Sequence, residues 1–334
     1  MKDWVVTEAD RELFDRELDG FVPPTMFDAH AHWYQADHFA ADAVPALVAS
    51  GPAVAGSDAF DDSIGQLIPN RRTEGLFFPF PHAGLEVDAA NEFLYQELRR
   101  RPGSRGQMLV TPNQDPEYIR DTVRSRGFVG LKCYHVYSPR RPTFESLIEE
   151  YLPESQVRVA HEEGLSITLH MVRARALADA ANQQWIRRHC ERYPNMRLIL
   201  AHAARGFNPH HTIQGISSLR GLENVWFDTS AVTDAGAIEA IVNTFGHTRV
   251  LYGSDFPVSH LRGRCVALGD SFFWISADNT NLDVPYARLD LSLVGHESLR
   301  TLKVAAMSLK LTETQIEDIF HRNATRLFGL DDMA

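Results

Sequence analysis

The feature that most constrains this chain is a rhythm, a short apolar run followed by an amphipathic helical stretch, repeated along almost its whole length. The runs that read as strands are 26–30, 74–80, 107–111, 128–134, 165–170, 197–202, 224–229 and 249–254. Helical periodicity occupies 87–101, 116–125, 156–163, 176–192, 211–220 and 235–245, with a last stretch at 313–328. Eight alternations are what a closed parallel barrel requires, whereas an open doubly wound sheet usually has fewer strands. No G-x-G-x-x-G follows the first run, so the dinucleotide-binding version of the open sheet lacks its fingerprint. The pattern therefore predicts an α/β fold of the (β/α)8, TIM-barrel type, filling 1–334 as one domain with an N-terminal extension at 1–25. Two stretches exceed a minimal barrel, 37–72 after the first strand and 257–299 after the eighth. Both are expected at the rim, because long connections in barrels collect at the catalytic face.

Composition narrows the partners. With 33 basic against 44 acidic residues, a net charge of -11, the chain offers no general positive face to nucleic acid or to an anionic membrane. Its three cysteines, Cys133, Cys190 and Cys265, are widely spaced and form no C-x-x-C, which suits a reducing compartment better than a disulfide framework or a thiolate metal site. The first twenty residues are acidic and amphipathic, and no apolar run reaches membrane-spanning length. The expectation is a cytoplasmic protein acting on a small molecule, with self-association left open.

Histidines carry the chemistry. There are 15, and many end or closely follow the predicted strands: His30 and His32, His82, His135, His170, His202 and His260. In a barrel these positions share the C-terminal mouth, where active sites lie. Residues two apart on a strand share a face, so FDAHAH divides into Phe27, Ala29 and Ala31 towards the helices and Asp28, His30 and His32 inward. The same rule turns His170, His202, Asp255, Lys132 and Tyr134 inward and puts Ile199 and Ala201 on the helix side. Imidazoles and a carboxylate around one cavity suit a divalent ion with an open position for water. The ligands read from this pattern are His30, His32, His170 and Asp255. Asp228, ending the seventh run, is a further site candidate.

The motifs FDAHAH, LH at the fifth strand, AHAARG at the sixth, YGSDFP at the eighth and a terminal NATRLFGL resemble the amidohydrolase superfamily, in its amidohydrolase-related branch that includes metal-dependent carboxy-lyases. The resemblance covers about residues 26–330. It implies one divalent ion, zinc first and manganese or iron as alternatives, on His30, His32, His170 and Asp255, with His202 as a catalytic neighbour. Dinuclear members of the superfamily carry a carboxylated bridging lysine on the fourth strand, where Lys132 stands. Decarboxylases of the branch tend to have tryptophan soon after the strand-five histidine, where this chain reads HMVRARAL with Arg173.

Lys132, Tyr134, His135, Arg173, Arg205 and His260, with Arg262 nearby, also fall close to strand ends and together predict a pocket for a small anionic substrate. The combined reading is a metal-dependent hydrolase of an ester, lactone or amide, with Asp255 as base and His202 steadying the oxyanion. The alternative on the same residues is non-oxidative decarboxylation of an unsaturated or aromatic acid. A silent binding barrel and a metal-free lactonase complete the set of alternatives.

Overall fold

The computed structural model describes residues 4–276, 279, 283–284, 287–288 and 290–330. The remaining positions of the expected 257–299 insertion, with 1–3 and 331–334, lie outside the described residues. In chain order the main elements are α1 (Glu8–Glu17), β1 (Thr25–Gln35), α2 (Ser57–Leu67), β2 (Arg72–Pro79), α3 (Val87–Leu98), β3 (Arg105–Leu109), α4 (Pro116–Arg126), β4 (Gly130–Cys133), α5 (Glu154–Glu162), β5 (Ser166–Leu169), α6 (Ala180–Arg192), β6 (Arg197–Leu200), α7 (Pro209–Gly215), β7 (Val225–Asp228), α8 (Ala235–Phe245) and β8 (Val250–Leu251). A hairpin of β9 (Arg264–Leu268) and β10 (Ser271–Ile275) precedes α9 (Val294–Ser308), and α10 (Asn323–Phe328) ends the described chain.

Strands β1 to β8 pair in sequence order and in parallel. The ring is closed by the residues just past β8. Ala29 N–H donates to Tyr252 C=O at 2.8 Å, Asp255 N–H to His30 C=O at 2.8 Å, and His32 N–H to Phe256 C=O at 2.7 Å. The predicted barrel is what the chain forms, and its eight staves are the eight apolar runs. Their continuous hydrophobicity reflects burial on both faces, by helices outside and by side chains within. Local signals set the helices: Asp115 caps α4 ahead of Pro116, and Gly127 at φ +67° ends it.

The outer core lies between strands and helices. Trp33 stacks on Phe77 at 3.9 Å, and Phe60 of α2 meets Phe77 edge-on at 4.8 Å. The expected rim segments therefore also supply barrel helices, α2 within 37–72 and α9 beginning inside 257–299. A second cluster fills the barrel itself: Phe27, Ala29, Leu76, Phe78, Ile199 and Leu251 pack against Leu327, Phe328 and Leu330. The C-terminal segment thus plugs one end of the barrel, leaving the opposite mouth for chemistry. Among the described residues no helix is long and apolar enough to cross a membrane.

Candidate metal centre

Strict alternation fails in β1. Pairing with β2 shifts between Asp28 and Ala31, a bulge that inserts an extra residue. Phe27 and Ala29 consequently join the barrel interior below the bulge, against the simple reading, while His30 and His32 face inward above it. Asp28 leaves the inward set and sits in the seam. It accepts hydrogen bonds from His30 N–H at 3.1 Å, Ser254 N–H at 2.8 Å and Ser254 O–H. Burial raises its carboxyl to about 7, with the Ser254 and His30 donors opposing.

The two imidazoles are oriented from behind. His30 Nδ1 lies 2.9 Å from Asp228 Oδ2, and His32 Nδ1 lies 3.3 Å from Pro79 C=O. Both partners only accept, so each Nδ1 carries the proton and each Nε2 keeps its lone pair. Those two Nε2 atoms each stand 3.4 Å from the same oxygen, Asp255 Oδ1. Four ligands arranged tetrahedrally about an ion at ~2.1 Å stand roughly 3.4 Å apart, so the three donors fit a zinc-sized divalent ion. Burial lowers the pKa of both rings, which favours the neutral form that ligation needs. Asp255 reaches this position from a left-handed backbone, φ +59°.

His202 arrives by a different device from the one alternation suggests. Strand β6 stops at Leu200, and His202, Ala203, Ala204 and Arg205 all have φ between +51° and +60°. Four consecutive left-handed residues without glycine make a turn that L-residues adopt at a cost of about 1–2 kcal/mol each. Ile199 therefore belongs to the interior cluster, and the turn alone swings His202 into the site. His202 Nδ1 is 2.9 Å from both Ser230 C=O and Ser230 Oγ. The hydroxyl is itself spent on Asp228, 2.5 Å away, so Nδ1 is the donor and Nε2 an acceptor. The oxyanion role expected of His202 thus requires the imidazolium, which burial disfavours.

Asp228 is the organiser that sequence reasoning underweighted. Its Oδ2 accepts from His30 Nδ1–H, while Oδ1 accepts from His202 N–H at 2.9 Å, Ser230 N–H at 3.1 Å and the Ser230 hydroxyl. Burial alone would raise this carboxyl, but His30, His202 and Ser230 outweigh it and hold it well below the usual range. The available signal was one acid ending the otherwise apolar run VWFD.

His170 stands beside the tight donor group, which comprises His30, His32 and Asp255. Its ring is 5.0 Å from that of His202 and 4.8 Å from Tyr134, and its buried Nδ1 has no hydrogen-bond partner. Lys132 is fully buried, with Nζ 3.4 Å from His30 Nε2 and 4.3 Å above the Phe78 ring. Burial lowers its pKa to about 8, against the pull of Asp228 and Asp255. The Tyr134 and His135 rings lie nearby, tilted to each other with centroids 4.7 Å apart. Arg205 lies between Phe144 and Phe272, donates to Arg173 C=O at 2.8 Å, and keeps a buried Nε without a partner.

Two expected substrate residues are employed elsewhere. The Arg173 guanidinium pairs with Asp179 at 2.8 Å, so only its carbonyl serves the site, by holding Arg205. His260 is fully buried, meets Ser63 C=O at 3.2 Å and stacks on Trp4 at 5.6 Å. Arg262 is likewise committed, to Asp10.

Residues 27–330 match the Amidohydrolase family model. The chain belongs to the amidohydrolase family. Among solved structures, amidohydrolase 2 from Bifidobacterium longum subsp. infantis is similar at a TM-score of 0.57 and 15% identity, covering 92% of this chain and 100% of that one. 4-Oxalomesaconate hydratase from Rhodopseudomonas palustris gives 0.56 and 14%, covering 92% and 97%. 5-Carboxyvanillate decarboxylase from Sphingomonas paucimobilis gives 0.53 and 13%, covering 92% and 99%. At such identities these likenesses speak for the amidohydrolase fold. A search of curated proteins finds no match.

Proposed function

We propose that this amidohydrolase is a metal-dependent hydrolase of an ester, lactone or amide bond in a small anionic molecule. It would use one divalent ion, zinc ahead of manganese or iron, held by His30, His32 and Asp255 with His170 alongside. The observation that carries the reading is the convergence of two oriented Nε2 atoms on one oxygen of Asp255, each at 3.4 Å. What a divalent ion supplies in such a site is Lewis acidity, which polarises a carbonyl and acidifies water.

The protein's own groups do the rest. Asp255 is placed to take the proton that a water gives up as it attacks the carbonyl carbon. The Lys132 ammonium, beside His30 Nε2, meets the negative charge that develops on the carbonyl oxygen. Arg205 offers its unpaired Nε to a substrate carboxylate. Two of the similar structures are named for enzymes of small carboxylic acids, oxalomesaconate and carboxyvanillate, which supports an anionic substrate here.

The test combines elemental analysis with product analysis on chelator-free protein. About one equivalent of ion, together with net addition of water to a carboxylated ester, lactone or amide, is the expected result. Asp255→Asn should abolish turnover more completely than ion binding, and near-full activity in that variant would sink the assignment. Release of carbon dioxide without added water would replace hydrolysis by decarboxylation on the same residues. Two equivalents would bring Lys132 in as a bridging group.

A further inference from the structure

Asp255 sits in a stretch with little regular structure of its own. Beyond the two residues of β8 the chain runs irregularly to a short turn at Val258–His260, and Asp255 holds a left-handed conformation within it. From inside, the seam hydrogen bonds and the Asp28–Ser254 contact hold this stretch. Its outer side is covered by the N-terminal segment.

Two groups of contacts, from Trp4 and to Arg262, make up that cover. The Trp4 indole meets Phe256, the residue after Asp255, edge-on at 5.3 Å, and stacks on His260 at 5.6 Å with 24° between the planes. Its Nε1–H reaches Leu47 C=O at 3.4 Å, which fixes the ring's direction. Arg262 sends both terminal nitrogens to Asp10, one of them also to Val5 C=O at 2.8 Å. Asp10 is only 3% exposed and is doubly used, since it also closes the capping box of α1 with Thr7. Burial opposes its ionisation, yet Arg262 and Thr7 hold its pKa below the ordinary value.

We infer that Trp4 and Asp10 are positioning residues: the segment 4–10 acts as a strap over 256–262 that keeps the Asp255 carboxylate at ligand distance from both imidazoles. The strap rests on the reading of Asp255 as a ligand. Its chemistry is indirect, because neither Trp4 nor Asp10 contacts the donor atoms. An aromatic wall on Phe256, which follows Asp255 directly, and a paired guanidinium six residues later limit the freedom of this stretch from Asp255 onward. Without them the left-handed residue can relax, and the donor oxygen moves off its 3.4 Å positions.

The experiment uses full-length Trp4→Ala, Trp4→Phe and Asp10→Asn, with Trp185→Ala as a control. Trp185 is a buried tryptophan on α6, stacked on His189 at 4.1 Å and remote from the strap. Zinc affinity is read by chelator competition, and ligand geometry by the visible spectrum of the cobalt-loaded protein. Trp4→Ala and Asp10→Asn are expected to weaken zinc binding by about tenfold, the lower end of outer-contact effects on metal sites, and to shift the cobalt bands. Trp4→Phe should recover most of both, and Trp185→Ala should lower thermal stability while leaving affinity and spectrum unchanged. If Trp4→Ala and Asp10→Asn fold and bind zinc like wild type, or if Trp185→Ala weakens binding equally, the strap is packing alone and the inference fails. A wild-type chain that takes up no ion overturns the ligand reading and the strap with it, whereas a binding wild type with unaffected variants overturns the strap by itself.

Discussion

Replacing Asp228 with Asn changes one atom, and the hydrogen bonds around it determine the outcome. In the native site Oδ1 receives three donors, from His202 N–H, Ser230 N–H and Ser230 O–H, and Oδ2 receives the His30 Nδ1 proton at 2.9 Å. An asparagine has one oxygen, which must stay with the three donors because the opposite flip would set its NH2 against all of them. The amide then points hydrogens at His30 Nδ1. That ring answers by moving its own proton to Nε2, the atom that faces Asp255 at 3.4 Å. A protonated Nε2 is not a ligand. The loss of a charge-assisted bond, about 1.5–3 kcal/mol, adds to the change of tautomer. Zinc affinity should therefore fall at the upper end of the roughly 10–100-fold range for such supporting groups, about 3 kcal/mol. Chelator competition gives the affinity, and nitrogen NMR of the imidazoles gives the tautomer. Unchanged affinity with Nδ1 of His30 still protonated would refute the reasoning.

Other perturbations have equally definite outcomes. Burial pushes His260 down to about 4, so between its unfolded value near 6.5 and that value the unfolded chain binds the extra proton and stability falls as pH falls. Chemical unfolding at pH 7.5 and pH 5 should show this loss, about 2 kcal/mol from this ring at pH 5, and His260→Gln should flatten the slope. Ala204→Val puts a β-branched side chain on a buried residue at φ +60° and should cost about 3 kcal/mol in the same assay. A stability equal to wild type would mean that the turn is not left-handed. Burial raises the thiols of Cys133, Cys190 and Cys265 to about 12, so a thiol reagent should label none in the native protein and all three after denaturation.

The barrel was legible because its staves are buried on both faces and its helices carry their own start and stop signals. Eight apolar runs could be counted without knowing how they close. The candidate donors were legible from the same runs, since His30 and His32 lie within the first stave and Asp255 follows the last. What escaped the pattern were local departures from period two. The bulge at 28–31 exchanges the roles of Asp28 and Ala29, and nothing in FDAHAH marks it. The left-handed turn at His202 to Arg205 contains alanines where a glycine would have announced it. His260 and Arg262 misled because proximity in sequence to a strand end says nothing about a distant segment folding over them. Their partners, Trp4 and Asp10, lie some 250 positions earlier and bear no motif.

The closing seam has a consequence for how the protein comes into being. Ser254 and Asp28, which meet there, are separated by 226 residues. Contacts between such remote parts of a chain pay the largest loop-closure entropy and are the slowest kind to form. His30 and His32 belong to the first stave to leave the ribosome and Asp255 to the stretch just past the last, so no partly built barrel contains the candidate donor set. An ion that these donors hold would therefore find no high-affinity position during refolding until the ring has shut. Its uptake would measure the moment of closure, and by binding only the shut ring it would draw the final equilibrium towards the native state.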